Sequence, residues 1–135
     1  MKLLPATTTV LSVLFMLLIS CTIEVAVPIV DTSSPADGDT DVAVDIGEMT
    51  ITFDRIMDGG VSIDYGTIPG PKVPDDLVDQ NGWVDARTYK FEFDPLTAST
   101  TYTVTLNPTG QPLDFRTAQG GILEPDTTIS FTTAP

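Results

Sequence analysis

The chain has 135 residues, enough for one domain and not two, and sets 19 Asp and Glu against 6 Lys and Arg, a formal charge of −13. Such an excess of carboxylates excludes a nucleic-acid partner, because phosphates must be neutralised by Lys and Arg, and excludes a basic patch for anionic headgroups. With no histidine and one cysteine, Ser-His-Asp and Cys-His nucleophiles, imidazole metal sites, cysteine zinc sites and intrachain disulfides are excluded as well. In chain order, Met1-Lys2 supplies a short positive start, and Val10 to Ile19 is an apolar run broken only by Ser12. That run is too short to cross about 30 Å of hydrocarbon, which takes roughly 20 helical residues. It has the length of a secretory h-region.

The h-region closes on Leu18-Ile19-Ser20-Cys21. These four residues resemble the lipobox of bacterial lipoproteins, with a small residue before an obligatory cysteine. The resemblance implies a signal peptide over 1–20, cleavage before Cys21, a diacylglyceryl group on its sulfur and acylation (such as palmitate) of its amine. The alternative is an ordinary signal peptide whose cleavage site contains a cysteine. Against that alternative, Cys21 has no partner in the chain to oxidise with. Two or more acyl chains make a stable anchor, at about 0.8 kcal/mol for each buried CH₂. Removing 1–20 takes away Lys2 and moves the charge from −13 to −14, with residues 21–27 as lipidated N-terminus and tether. Thr22 follows the cysteine where inner-membrane retention in double-membrane bacteria commonly uses Asp. The resemblance therefore implies the outer membrane in such a host.

Beyond the tether, strand patterning recurs. Val25 to Val30 reads as a first strand, with Pro28 confining it to an edge or a bulge. Met49, Ile51 and Phe53 alternate with Thr50 and Thr52, and Val61, Ile63 and Tyr65 with Ser62 and Asp64. Tyr89, Phe91 and Phe93 alternate with Lys90 and Glu92, and Tyr102, Val104 and Leu106 with Thr103 and Thr105. Ile129 and Phe131 alternate with Thr128, Ser130 and Thr132. One apolar and one wet face is the signature of half-buried antiparallel strands. Ser34-Pro35-Ala36-Asp37-Gly38, Asp58-Gly59-Gly60, Asn81-Gly82 and Asn107-Pro108-Thr109-Gly110 supply turns between them. The chain is all-β, and about seven short strands in this length predict a two-sheet antiparallel Greek-key sandwich, with a closed barrel as the competing fold. Leu96, six residues before Tyr102 at a strand start, has the spacing of a tyrosine corner, whose phenol bonds backbone upstream.

Three stretches in order, Ser34 to Val42, Ile51 to Asp58, and Phe91 to Leu96 with Thr100 to Val104, together resemble the bacterial Ig-like domain family of S-layer and other surface proteins, of the SbsA-like type. Ile129 to Thr133 looks like that family's last strand. The likeness covers about residues 28–133 and implies an Ig-like domain over 28–135 with a structural, adhesive or partner-binding role and no reaction. Residues 66–82 are longer and richer in proline than the family pattern, and Ala118 to Leu123 only loosely echoes its loop before the last strand.

Candidate sites are few. Asp37, Asp39 and Asp41, with Asp45 beyond, offer hard oxygens at a spacing that could wrap Ca²⁺. An EF-hand would put Gly sixth and Glu twelfth; here Val42 is sixth and Glu48 twelfth, so the match is half made. The other reading is turn geometry on a solubilising acidic surface. Residues 66–82, with Pro69, Pro71 and Pro74, read as a functional or mobile loop. Trp83 after it is a sugar-stacking platform or a core residue. Nothing distinguishes any carboxylate pair for glycoside chemistry, and no enzyme is expected. The expectation is a lipid-anchored envelope protein, bound to the membrane through Cys21 and to an envelope protein or polysaccharide. A calcium-responsive module and an accessory lipoprotein of an envelope complex are the rivals.

Overall fold

The computed structural model describes residues 24–135; the signal segment and Cys21 lie outside the described residues. Six strands form two antiparallel sheets. Strands β1 (Val30–Ser34), β2 (Glu48–Phe53) and β4 (Thr88–Glu92) make one, in the order β1-β2-β4. Strands β3 (Ile63–Asp64), β5 (Thr101–Leu106) and β6 (Thr127–Thr132) make the other, in the order β3-β5-β6. This is the strand order of an immunoglobulin-type sandwich, with its fourth strand reduced to a bridge between Lys72 and Glu92 beside β4.

The alternation seen in the sequence builds the core. Met49, Ile51 and Phe53 of β2, Tyr89 and Phe91 of β4, Tyr102, Val104 and Leu106 of β5, and Ile129 and Phe131 of β6 are all buried between the sheets. Outward threonines pair across strands: Thr101 with Thr132 at 2.8 Å and Thr103 with Ser130 at 2.7 Å.

Three sequence expectations are corrected. The first strand is not Val25 to Val30 but begins at Val30, with Val25, Val27 and Ile29 exposed. Pro28 has no N–H to give a ladder, and Ile29 donates its N–H to the Asp54 carboxylate at 2.9 Å instead of to a strand. The third strand shrinks from Val61–Tyr65 to two residues, because only Ile63 and Asp64 find partners on β5; Val61, Ile63 and Tyr65 are half-buried against the core. Residues 66–82 are not a structureless loop. They lie along the free edge of β4, where Lys72 and Glu92 exchange backbone hydrogen bonds at 2.9 and 2.8 Å and Gly82 accepts from Lys90 at 2.8 Å. Between them Asp75–Gln80 winds a short 3₁₀ helix, closed by Asn81 at φ 55° and Gly82 at φ 92°. A Cβ at Gly82 would stand 2.6 Å from the Tyr89 ring, so the close approach needs glycine. The segment covers a sheet edge that would otherwise invite pairing.

After β1 the chain turns at a cis Ser34–Pro35 bond and crosses to the outer edge of β6. Gly38 donates to Ser130 at 2.7 Å, and Val42 forms a parallel bridge with Thr133. The N-terminal segment meets the end of β2, since Asp54 donates to the Ile29 carbonyl, whereas Ala134 donates to Val42 ahead of the start of β2. The two termini of the described domain therefore leave from opposite ends.

Candidate functional site

Four segments converge at the end where the N-terminal segment emerges: residues 24–29, the loop after β2, the turn into β4 and the loop between β5 and β6. Backbone bonds tie them together. Met57 donates to Ala86 at 2.8 Å, Asp58 to Arg116 at 2.9 Å and Phe53 to Arg87 at 2.9 Å. Gly121 lies so close under the N-terminal segment that a Cβ there would come 2.2 Å from the Ala26 carbonyl oxygen. Between them runs an open groove of about 580 Å³ lined by Val25, Arg55, Ile56, Arg87 and Thr117 among others.

The long loop between β5 and β6 holds its shape through Asn107, which is fully buried at φ 49°. Its amide donates to the carbonyls of Phe115 and Leu123 at 3.1 and 3.0 Å and accepts the Phe115 N–H at 3.0 Å. That clamp sets Phe115 and Leu123 into the core and leaves Ile122 outside.

Two ion pairs stand at this end. The Asp54 carboxylate chelates the Arg55 guanidinium and accepts the Ile29 N–H. Those hydrogen bonds, Arg55's first, hold its pKa down at about 2. Arg116 donates to Asp58 at 2.8 Å, and Arg87 donates to the Phe53 carbonyl at 2.9 Å. Asp85 is pulled below its usual range by the Arg87 N–H and then the Thr88 N–H.

Two carboxylates of the acidic run are engaged by backbone N–H groups. Asp37 accepts the Ser130 N–H at 2.8 Å and fastens the crossover to β6, while Asp39 accepts the Ala36 N–H at 2.8 Å and closes the turn within the crossover. Among the described residues, no three His, Cys, Asp or Glu side chains are grouped to hold a metal ion, and Asp37, Asp39 and Asp41 are not brought together as a calcium loop.

Trp83 is buried against Phe53, Tyr89 and Phe115, with centroids 5.8, 5.8 and 6.0 Å apart, so it is core and not a sugar platform. Its indole N–H finds no partner. Tyr102 forms the tyrosine corner: its hydroxyl accepts the Thr97 N–H at 2.9 Å. The groove residues Arg55, Ile56 and Arg87 were not singled out by sequence. The available signal was Ile56, an apolar residue at a position where the turn Asp54 to Asp58 has no strand to bury it.

An immunoglobulin-type sandwich with a tyrosine corner defines the class. The sequence matches the bacterial Ig-like domain model over residues 24–133, and the chain belongs to that family. Among solved structures it is similar to CopC from Methylosinus trichosporium OB3b, at 19% identity and a TM-score of 0.50, over 80% of this chain and 94% of that one. This likeness bears on the fold alone. No curated protein matches the sequence significantly. Among the described residues, no helix is long and apolar enough to cross a membrane.

Proposed function

We propose that this is a lipid-anchored cell-envelope protein whose Ig-like domain, of the SbsA-like type, has a non-catalytic structural, adhesive or partner-binding role. The observation that carries the reading is the order of parts. The family match begins at residue 24, three residues past Cys21, so the fold is built without the segment that a lipobox would have removed or acylated. The family is generally non-enzymatic, and the buried polar groups Asn107, Tyr102 and Thr133 are engaged in holding loops and sheet ends. The partner is an envelope protein or polysaccharide outside the cytoplasm. With Thr22 after the cysteine, the address is the outer membrane of a double-membrane host.

Fractionation tests the anchor. The wild-type chain should sediment with membranes, incorporate labelled palmitate and require detergent for release. Cys21→Ala should yield a folded domain in the soluble fraction. A variant that still needs detergent overturns the lipoprotein reading. In a double-membrane host, recovery of the wild type with inner-membrane markers on a density gradient overturns the outer-membrane address.

A further inference from the structure

We infer that the end of the sandwich around Val25, Ile56, Val84 and Ile122 is a docking surface for the lipid bilayer. The inference rests on the anchor reading above and adds to it an orientation and a contact.

Seven large hydrophobic residues are exposed among the described residues, and six of them belong to the four segments of this one end: Val25, Val27, Ile29, Ile56, Val84 and Ile122. Ile56 is 62% exposed, although the core lies one residue away at Met57. The seventh, Val78, stands on the 3₁₀ helix beside β4, and an apolar fringe concentrated at one end marks a contact surface. What covers it follows from where the chain leads. Residues 22–24 separate Cys21 from the groove and reach at most about 11 Å when extended. A lipid on Cys21 therefore keeps this end, and no other, beside the bilayer.

Charge decides the mode of contact. Glu24, Asp31, Asp54, Asp58 and Asp85 stand around the fringe, and Arg55 and Arg116 are already paired with Asp54 and Asp58. Attraction to anionic lipid is therefore weak, and apolar insertion into the headgroup and acyl boundary carries the contact. Arg55 and Arg87 line the groove beside Val25 and Ile56, but Arg55 is held by Asp54 and Arg87 donates to the Phe53 carbonyl, so neither is a free cation for anionic lipid. The binding should thus be salt-insensitive and work on zwitterionic lipid.

The test uses the full chain purified with its anchor and reconstituted in vesicles of brominated phosphatidylcholine. Ile56→Trp and Ile122→Trp report the docking end, Ala98→Trp in the turn between β4 and β5 reports the far end, and buried Trp83 is the shared background. The expected result is blue-shifted emission at 56 and 122 and quenching at least about two-fold stronger than at 98, unchanged from about 50 to about 500 mM NaCl. Equal quenching at all three positions in chains that float with the vesicles overturns the docking and leaves the anchor standing. A blue shift without bromine quenching means that protein, such as a second copy, covers this end, and overturns the docking too. Chains that do not float overturn the anchor and the docking together.

Discussion

Tyr102 fastens the crossover between the sheets through one hydrogen bond, from the Thr97 N–H to its hydroxyl. Phenylalanine would keep the ring packed on Phe131 and leave that N–H unpaired. Tyr102→Phe should therefore cost about 1–2 kcal/mol in urea unfolding, and a change within about 0.3 kcal/mol would remove the corner from the account. Asp54 does comparable work at the other end, where it binds both Arg55 and the Ile29 backbone. Its pKa falls from 3.8 to about 2 in the fold, so the folded state favours the ionised form. The stabilisation is present above about pH 4 and fades as pH falls through about 2, because the unfolded chain takes up the proton first. Asp54→Asn should be less stable than wild type at neutral pH, with the two converging between pH 4 and pH 2. Parallel pH curves would show that the carboxylate's charge is not what counts.

At the scale of elements, Asn107 organises the loop between β5 and β6. Removing its amide strands the buried N–H of Phe115 and two carbonyls, and alanine also tolerates the positive φ less well. Asn107→Ala should destabilise by about 3 kcal/mol, with Phe115 and Leu123 losing protection from amide exchange first. Full protection there in a merely destabilised variant would mean that the clamp is not local. Strands β2, β4, β5 and β6 were legible because each buries one face, which leaves a period of two in the sequence. Strand β1 was not: Val-Asp-Thr-Ser-Ser carries almost no apolar signal, since it sits on an edge with exposed side chains. The alternation just ahead of it, at Val25, Val27 and Ile29, mimicked a strand while facing solvent. The Pro-rich stretch looked free because its bonds to β4 run through backbone, which composition does not report. The groove was not legible, because Arg55, Ile56 and Arg87 come together only through folding.

For the whole molecule, charge dominates. All 19 carboxylates lie in the described domain with 5 cations, and the four ion pairs engage Arg55, Lys72, Lys90 and Arg116. Salt weakens those pairs, but they are largely at the surface and worth little, while it also screens a far larger mutual repulsion. The melting temperature should rise between about 10 and about 300 mM NaCl; a fall would mean that the pairs outweigh the repulsion. The opposite exits of the two termini carry a consequence for engineering. With residues 24–29 at one pole and Ala134 at the other, the domain has the layout of an in-line spacer. Cargo fused after Pro135 would sit at the pole where Ala134 lies, whereas cargo inserted at the Asp58-Gly59-Gly60 turn would sit at the opposite pole, beside residues 24–29.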